Sequence, residues 1–219
     1  MNYKYILYDW FGYNKIFFQY IHNFSDNKTF IKPYIFFTKY IGEYLLFPLH
    51  FLLLIIFMAS YIVINKQRHS FSLQANYAKT VFILLFSIAL GAIFVEALKI
   101  YFALPRPYCE NLNVINKIML SLTTFKSSDC YKSFPSGHSW YVATFIFSIW
   151  GILNRFFKVI GILTIATVGL SRIIVGMHFP ADVVYAILFA SIICSIAYKV
   201  SSLKIISSLL NKKISHKNN

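Results

Sequence analysis

An all-α, polytopic bundle embedded in a bilayer is the fold that this sequence predicts. Of its 219 residues, 58% are hydrophobic and only 13% are charged, whereas a soluble domain is typically about half apolar and about a quarter charged. Several apolar runs approach the roughly 20 residues that a helix needs to cross hydrocarbon. Aromatic residues make up 19%, with 23 Phe and 16 Tyr, and such rings favour the headgroup boundary. Neither a hydrophilic linker nor an internal repeat divides the chain, so one membrane domain over 1–219 is expected. It comprises N-terminal interfacial helices (1–42), a transmembrane core (43–200) and a basic tail (201–219).

Residues 3–24 and 29–41 are rich in Tyr, Phe and Ile but are interrupted by Lys15, Lys32, Pro33 and Lys39. They read as amphipathic helices lying at the interface, apolar faces down, with a turn at Asn23–Asn27. The alternative is a short, poor span over 5–22, which would be a sixth. Asp9 and the absence of a small-residue cleavage site argue against a cleavable signal peptide in residues 1–22. Five clearer spans follow at 44–64, 79–98, 138–153, 158–176 and 181–200.

Orientation follows from the basic residues. Lys66, Arg68, Lys79, Arg155, Lys158, Lys199, Lys204, Lys212, Lys213 and Lys217 fall on one side, against Lys117, Lys126 and Lys132 in the opposite loop. The positive-inside bias places the 65–79 turn and the C-terminus in the cytoplasm. The net charge of +14 then reflects anionic lipid; nucleic acid is disfavoured, because the cations flank apolar spans and line no soluble face. Cys109 and Cys130 share the outer loop, where an oxidising compartment would let them pair; two free thiols are the alternative. Cys194, inside the last span, reads as a small packing residue. No cysteine or histidine spacing suggests a zinc site.

Three clusters lie at helix ends on the outer face. In the second of them, Pro135-Ser136-Gly137-His138 opens a helix with Ser136 as N-cap, so backbone N–H groups and the positive end of the helix dipole face any bound anion. Gly137 lets that backbone approach closely, and His138 can give or take a proton. In the third, Asp182 follows His178 by four residues, within reach to orient the imidazole and leave its other nitrogen free to attack. Pro180 suits the first turn of the last helix, and the planar fork of Arg172 can grip phosphate oxygens. The first cluster contributes Lys99 and Arg106, so three cations surround one site able to stabilise a transferring phosphoryl group. Each residue alone is more often a snorkelling cation, an interfacial histidine or a helix-start carboxylate. Six of them at three helix ends on one face are far harder to explain that way.

Lys-x6-Arg-Pro at 99–107, Pro-Ser-Gly-His at 135–138 and Ser-Arg-x5-His-x3-Asp at 171–182 together resemble the three-part signature of the type 2 phosphatidic acid phosphatases. These are integral-membrane lipid phosphatases that share their site with vanadium haloperoxidases. The resemblance covers roughly residues 95–185, with every signature position filled. It implies hydrolysis without metal or other cofactor through a phosphohistidine, with His178 as nucleophile, Asp182 as its orienter and His138 as proton donor to the leaving lipid oxygen. Lys99, Arg106, Ser136, Gly137 and Arg172 would bind phosphate, and Tyr101, Tyr108 and Trp140 are candidate headgroup contacts. The expected substrate is an envelope lipid: undecaprenyl diphosphate, a lipid A phosphate or phosphatidylglycerol phosphate. The expected setting is a bacterial inner membrane with the site facing the periplasm. Two rival readings are a lipid-phosphate transporter and a non-catalytic binder. Transporters tend to break helices at the bilayer midplane, whereas the breaks here lie at helix ends, and the complete His138–His178–Asp182 set argues against a silent binder.

Overall fold

The computed structural model describes residues 4–23, 71–110 and 129–203. The predicted span 44–64, the segment 29–41, most of the 108–134 loop and the basic tail beyond residue 203 lie outside these residues. The regular secondary structure among the described residues is all helical, without strands. Five α-helices appear among them: α1 (Tyr13–Asn23), α2 (Phe71–Phe102), α3 (Gly137–Ser148), α4 (Arg155–Ile174) and α5 (Pro180–Ser201). Of these, α2, α4 and α5 are long and apolar enough to cross a membrane.

Each long helix buries one stripe. On α2 it runs through Thr80, Ile83, Leu84, Ser87 and Val95, and the next position on that face is Lys99. On α4 it runs through Gly161, Ile165, Val168 and Gly169 and ends at Arg172. Two of the predicted phosphate cations thus continue core-facing stripes and do not point into lipid. On α5 the stripe is built of small residues, with Ala186, Ala190 and Ala197 fully buried, so α3 can pack closely against it. Glycines form matching notches: a Cβ on Gly91 would lie 2.2 Å from Trp140 Cζ2, one on Gly161 2.8 Å from Ile146, and one on Gly169 2.6 Å from Val183.

Two expectations need correction. The predicted span at 138–153 is a helix of only 12 residues, Gly137–Ser148. At 1.5 Å per residue it is about 18 Å long, short of the roughly 30 Å of hydrocarbon. It packs against α2, α4 and α5, so its apolarity fills a protein core. Trp140, a candidate headgroup contact, is 4% exposed and seated on Gly91. Conversely, α2 begins at Phe71, inside the stretch expected to be a turn, because hydropathy marks lipid contact and not where a helix starts.

Residues 4–23 form three pieces, not one amphipathic helix or a sixth span: a π-helical turn at Lys4–Tyr8, a 3-10 turn at Trp10–Gly12, then α1. The reversal rests on Trp10, Phe11 and Gly12 at positive φ, and the amides of Gly12 and Asn14 both donate to the Asp9 carbonyl. Asn14, Phe18 and His22 form the buried face of α1, while Ile16, Phe17 and Tyr20 are exposed. Phe18 meets Phe179 edge-on at 5.2 Å, laying α1 over the α4–α5 turn.

Cys109 and Cys130 form a disulfide, the first of the two alternatives. It closes the long loop where Arg106 donates its amide to the Cys130 carbonyl at 2.8 Å and Ser133 donates to Leu104 at 3.1 Å. With the half-cystines 21 positions apart in sequence, the chain-entropy model assigns it about 3 kcal/mol. Replacing both cysteines by serine should therefore lower the thermal unfolding midpoint and, if Arg106 binds phosphate as the sequence leads one to expect, raise KM. An unchanged midpoint and unchanged KM would refute that role.

Candidate functional site

The turn between α4 and α5 is built by a Schellman motif. Gly176, at φ +75°, takes the left-handed position. Its amide donates to the Ile173 carbonyl, and that of Met177 donates to Arg172, each at 3.0 Å. The His178 amide also donates to the Arg172 carbonyl, at 3.3 Å. The chain thus folds back so that His178 returns beside Arg172. His22 Nδ1 donates to the Ile174 carbonyl at 3.0 Å, satisfying another acceptor left open at the helix end.

Asp182 is the centre of the site and is completely buried. Its Oδ2 accepts from Ser133 Oγ at 2.5 Å, from the Phe179 amide at 2.8 Å and from His178 Nδ1 at 3.3 Å; its Oδ1 accepts from Tyr8 Oη at 2.8 Å. All four partners can donate, which suits a side chain that only accepts. Because a carboxylate can only accept, Nδ1 of His178 carries the proton and Nε2 carries the lone pair. Burial pushes the His178 pKa down to about 4, outweighing the hydrogen bond to Asp182, while the nearby Arg106 and Arg172 charges lower it further. The imidazole is therefore neutral at physiological pH, and both guanidinium groups lie close enough to act on it.

The remaining predicted residues gather at the same end. Arg172 is 1% exposed. A buried cation without water around it is costly and favours an anionic partner. Arg106 directs Nη2 to the Lys132 carbonyl at 3.5 Å, while its buried Nε has no hydrogen-bond partner among the described residues. A Cβ on Gly137 would lie 3.6 Å from Lys99 Nζ, which brings the first and second clusters together. Lys99 Nζ also reaches Glu96 Oε2 at 3.3 Å. His138, second residue of α3, is half-buried at the same mouth. The Ser136 amide donates to the Asp182 carbonyl at 3.1 Å, joining the second cluster to the third. Ser136 occupies the N-cap position as expected but makes no side-chain cap; its Oγ pairs with Ser139 Oγ at 3.0 Å. Beside the site lies an apolar cavity of about 200 Å³, lined by Leu7, Tyr8, Phe102, Phe134, Tyr185 and Phe189 among others.

The sequence profile of the PAP2 superfamily matches residues 80–206, more than half of the chain and all three clusters. The chain belongs to the PAP2 superfamily. Among curated proteins it resembles a lipid A 1-phosphatase of Rhizobium etli, 35% identical over 83 residues, which cover 36% of this chain and 35% of the relative. A lipid A 1-phosphatase of Rhizobium johnstonii is 34% identical over 73 residues, covering 33% of this chain and 30% of the relative. Each match therefore spans about a third of the curated relative's length. Among solved structures, Aquifex aeolicus LpxE superposes with a TM-score of 0.60 at 26% identity, covering 84% of this chain and 93% of the other.

Sequence reasoning missed four residues of this PAP2 site. Ser133, two positions before the Pro-Ser-Gly-His motif, was open to suspicion as a hydroxyl next to a helix start. Tyr8, Asn14 and His22 gave no such sign: their partners lie 174, 167 and 152 positions away, and no local pattern encodes contacts of that range.

Proposed function

We propose that this PAP2 protein is a membrane lipid phosphatase that removes phosphate from an envelope lipid through a phosphohistidine. The observation that carries the reading is the buried His178–Asp182 pair flanked by Arg106 and Arg172. A neutral imidazole with its lone pair on Nε2 is a nucleophile, and the flanking cations suit a phosphoryl group with charge on its oxygens. In the proposed first step Nε2 bonds to phosphorus and the bond to the lipid oxygen breaks, that oxygen taking a proton from His138. Asp182 balances the positive charge that appears on the His178 ring. In the second step a water gives a proton back to His138 and attacks phosphorus, releasing inorganic phosphate and restoring His178. Lys99, Arg106, Arg172 and the first-turn amides of α3 at Gly137 hold the phosphate. Ser136 acts indirectly, its hydroxyl facing Ser139 and its amide tying the start of α3 to the Asp182 carbonyl.

The apolar cavity beside the charged site favours a lipid over a soluble phosphate ester, because it gives an acyl chain a place next to its own headgroup. Lipid A phosphate is the leading substrate, on the strength of the two rhizobial relatives. Undecaprenyl diphosphate and phosphatidylglycerol phosphate follow. The basic-residue bias supports a site on the periplasmic face of an inner membrane with the C-terminus in the cytoplasm. The test is phosphate release by purified protein from each of the three lipids in detergent with chelator present. Release fastest from lipid A, undiminished by chelator, is expected; no release from any of the three would overturn the reading.

A further inference from the structure

The N-terminal strap, residues 4–23, lies outside the stretch that the family profile matches, 80–206, yet it is tied to the site at five points. Besides the bond from Tyr8 Oη to Asp182 Oδ1 at 2.8 Å, Asn14 Oδ1 accepts from the Ala181 amide at 2.9 Å and His22 Nδ1 donates to the Ile174 carbonyl at 3.0 Å. Lys15 Nζ meets Glu110 Oε2 at 2.8 Å, and Tyr185 Oη donates to the Leu7 carbonyl at 2.5 Å. The strap thus grips both helix ends that flank His178. Asn14 satisfies an open amide at the start of α5, and His22 satisfies an open carbonyl at the end of α4.

Tyr8 stands apart from the other anchors because it reaches the carboxylate itself. Three donors converge on Oδ2, and among the described residues Tyr8 is the donor to Oδ1. We propose that Tyr8 is a positioning residue for the His178–Asp182 pair, its hydroxyl fixing the rotation of the carboxylate and drawing off part of its charge. The proposal rests on the reading of His178 as nucleophile.

Two consequences follow from the chemistry of the pair. The terminal torsion of an aspartate is broad, so a carboxylate held at one oxygen only can swing and carry the imidazole off line. A carboxylate that loses a donor also keeps more charge and pulls harder on the Nδ1 proton, which favours the charged ring. Tyr8 remains a donor across the working range, since burial and then the Asp182 charge hold its phenol well above the ordinary value of 10.0. The charged groups acting on His178 are Asp182, Arg106 and Arg172, and those acting on Tyr8 are Asp182 and Glu110.

Tyr8→Phe separates this role from packing, because the ring keeps its edge-on contact with Phe134 at 5.5 Å and its place in the cavity wall. With lipid A as substrate, kcat should fall by about tenfold with KM unchanged, the expected scale for losing one hydrogen bond to a charged group. The acid limb of kcat/KM and the His178 ring titration, followed by nitrogen-15 NMR, should both move up from about 4. A fluorine ortho to the hydroxyl, introduced as 3-fluorotyrosine at position 8, strengthens the donor and should move the titration down. Wild-type kcat with an unmoved His178 titration in Tyr8→Phe, or a loss confined to the thermal midpoint, would overturn the proposal. If the wild type releases no phosphate from any of the lipids, the phosphatase reading fails. The NMR titrations of the two variants still decide the role of Tyr8 in that case.

Discussion

His178→Ala is expected to abolish phosphate release, lowering kcat by about 10⁴-fold or more, while the protein still folds. The magnitude follows from removing the proposed nucleophile: the remaining cations can bind the phosphate, but the ring nitrogen that would bond to phosphorus is gone. Folding survives because Asp182 keeps three donors, Tyr8, Ser133 and the Phe179 amide. The Schellman turn also uses only the backbone of residue 178. The check is single-turnover phosphate release from lipid A alongside a thermal melt. Wild-type turnover in the variant would end the assignment of the nucleophile. The same ring sets the pH dependence. With its pKa held near 4 by burial, His178 is neutral and reactive above that value and protonated below it. The acid limb of wild-type kcat/KM should therefore lie near pH 4, well below the 6.5 of an ordinary imidazole. A limb near 6.5 would mean that water reaches the ring and that His178 is not enclosed as described.

Much of this site was legible in sequence because its residues sit at helix ends, where local chemistry constrains them. Pro180 does open α5, and the predicted reach from Asp182 to His178 exists at 3.3 Å. Hydropathy also located α2, α4 and α5, whose surroundings are apolar along most of their length. It failed on α3, because a helix enclosed by other helices and a helix enclosed by lipid are equally apolar. Only packing distinguishes the two, and packing depends on small residues such as Gly91 and Ala186 that come from other parts of the chain. Trp140 was misplaced for the same reason.

The strap exposes a second limit of pattern reading. Its aromatic residues suggested an interface, and the exposed face of α1 is indeed apolar. The buried face instead carries Asn14 and His22, polar groups that meet an open amide of α5 and an open carbonyl of α4. Only the folded chain brings such donors and acceptors together. On the proposed reading, the family's signature residues supply the chemistry, while residues outside the matched stretch hold that chemistry in register.

Asp182→Asn tests whether this carboxylate orients a nucleophile or merely starts a helix. A helix-start role is worth about 1 kcal/mol and would survive in part with asparagine, itself a good acceptor near a helix N-terminus. An orienting role would not survive. The carboxylate offers two accepting oxygens to four donors, whereas the amide offers one oxygen and two N–H groups. With the amide nitrogen at the Oδ2 position, the side chain faces the Ser133 hydroxyl, the Phe179 amide and His178 Nδ1, which three groups now point donors at its own N–H. The His178 proton is then driven to Nε2, where it blocks attack. With the amide oxygen at that position, Nδ1 keeps its proton, but the negative charge that balances the phosphohistidine is gone. In both arrangements kcat should fall by about 10³-fold, with KM nearly unchanged because Lys99, Arg106 and Arg172 still bind phosphate. The two arrangements differ in the nitrogen-15 spectrum of His178, which reports the protonated ring nitrogen directly. A variant within threefold of wild-type kcat would reduce Asp182 to a capping residue and leave the imidazole to be oriented by its burial alone.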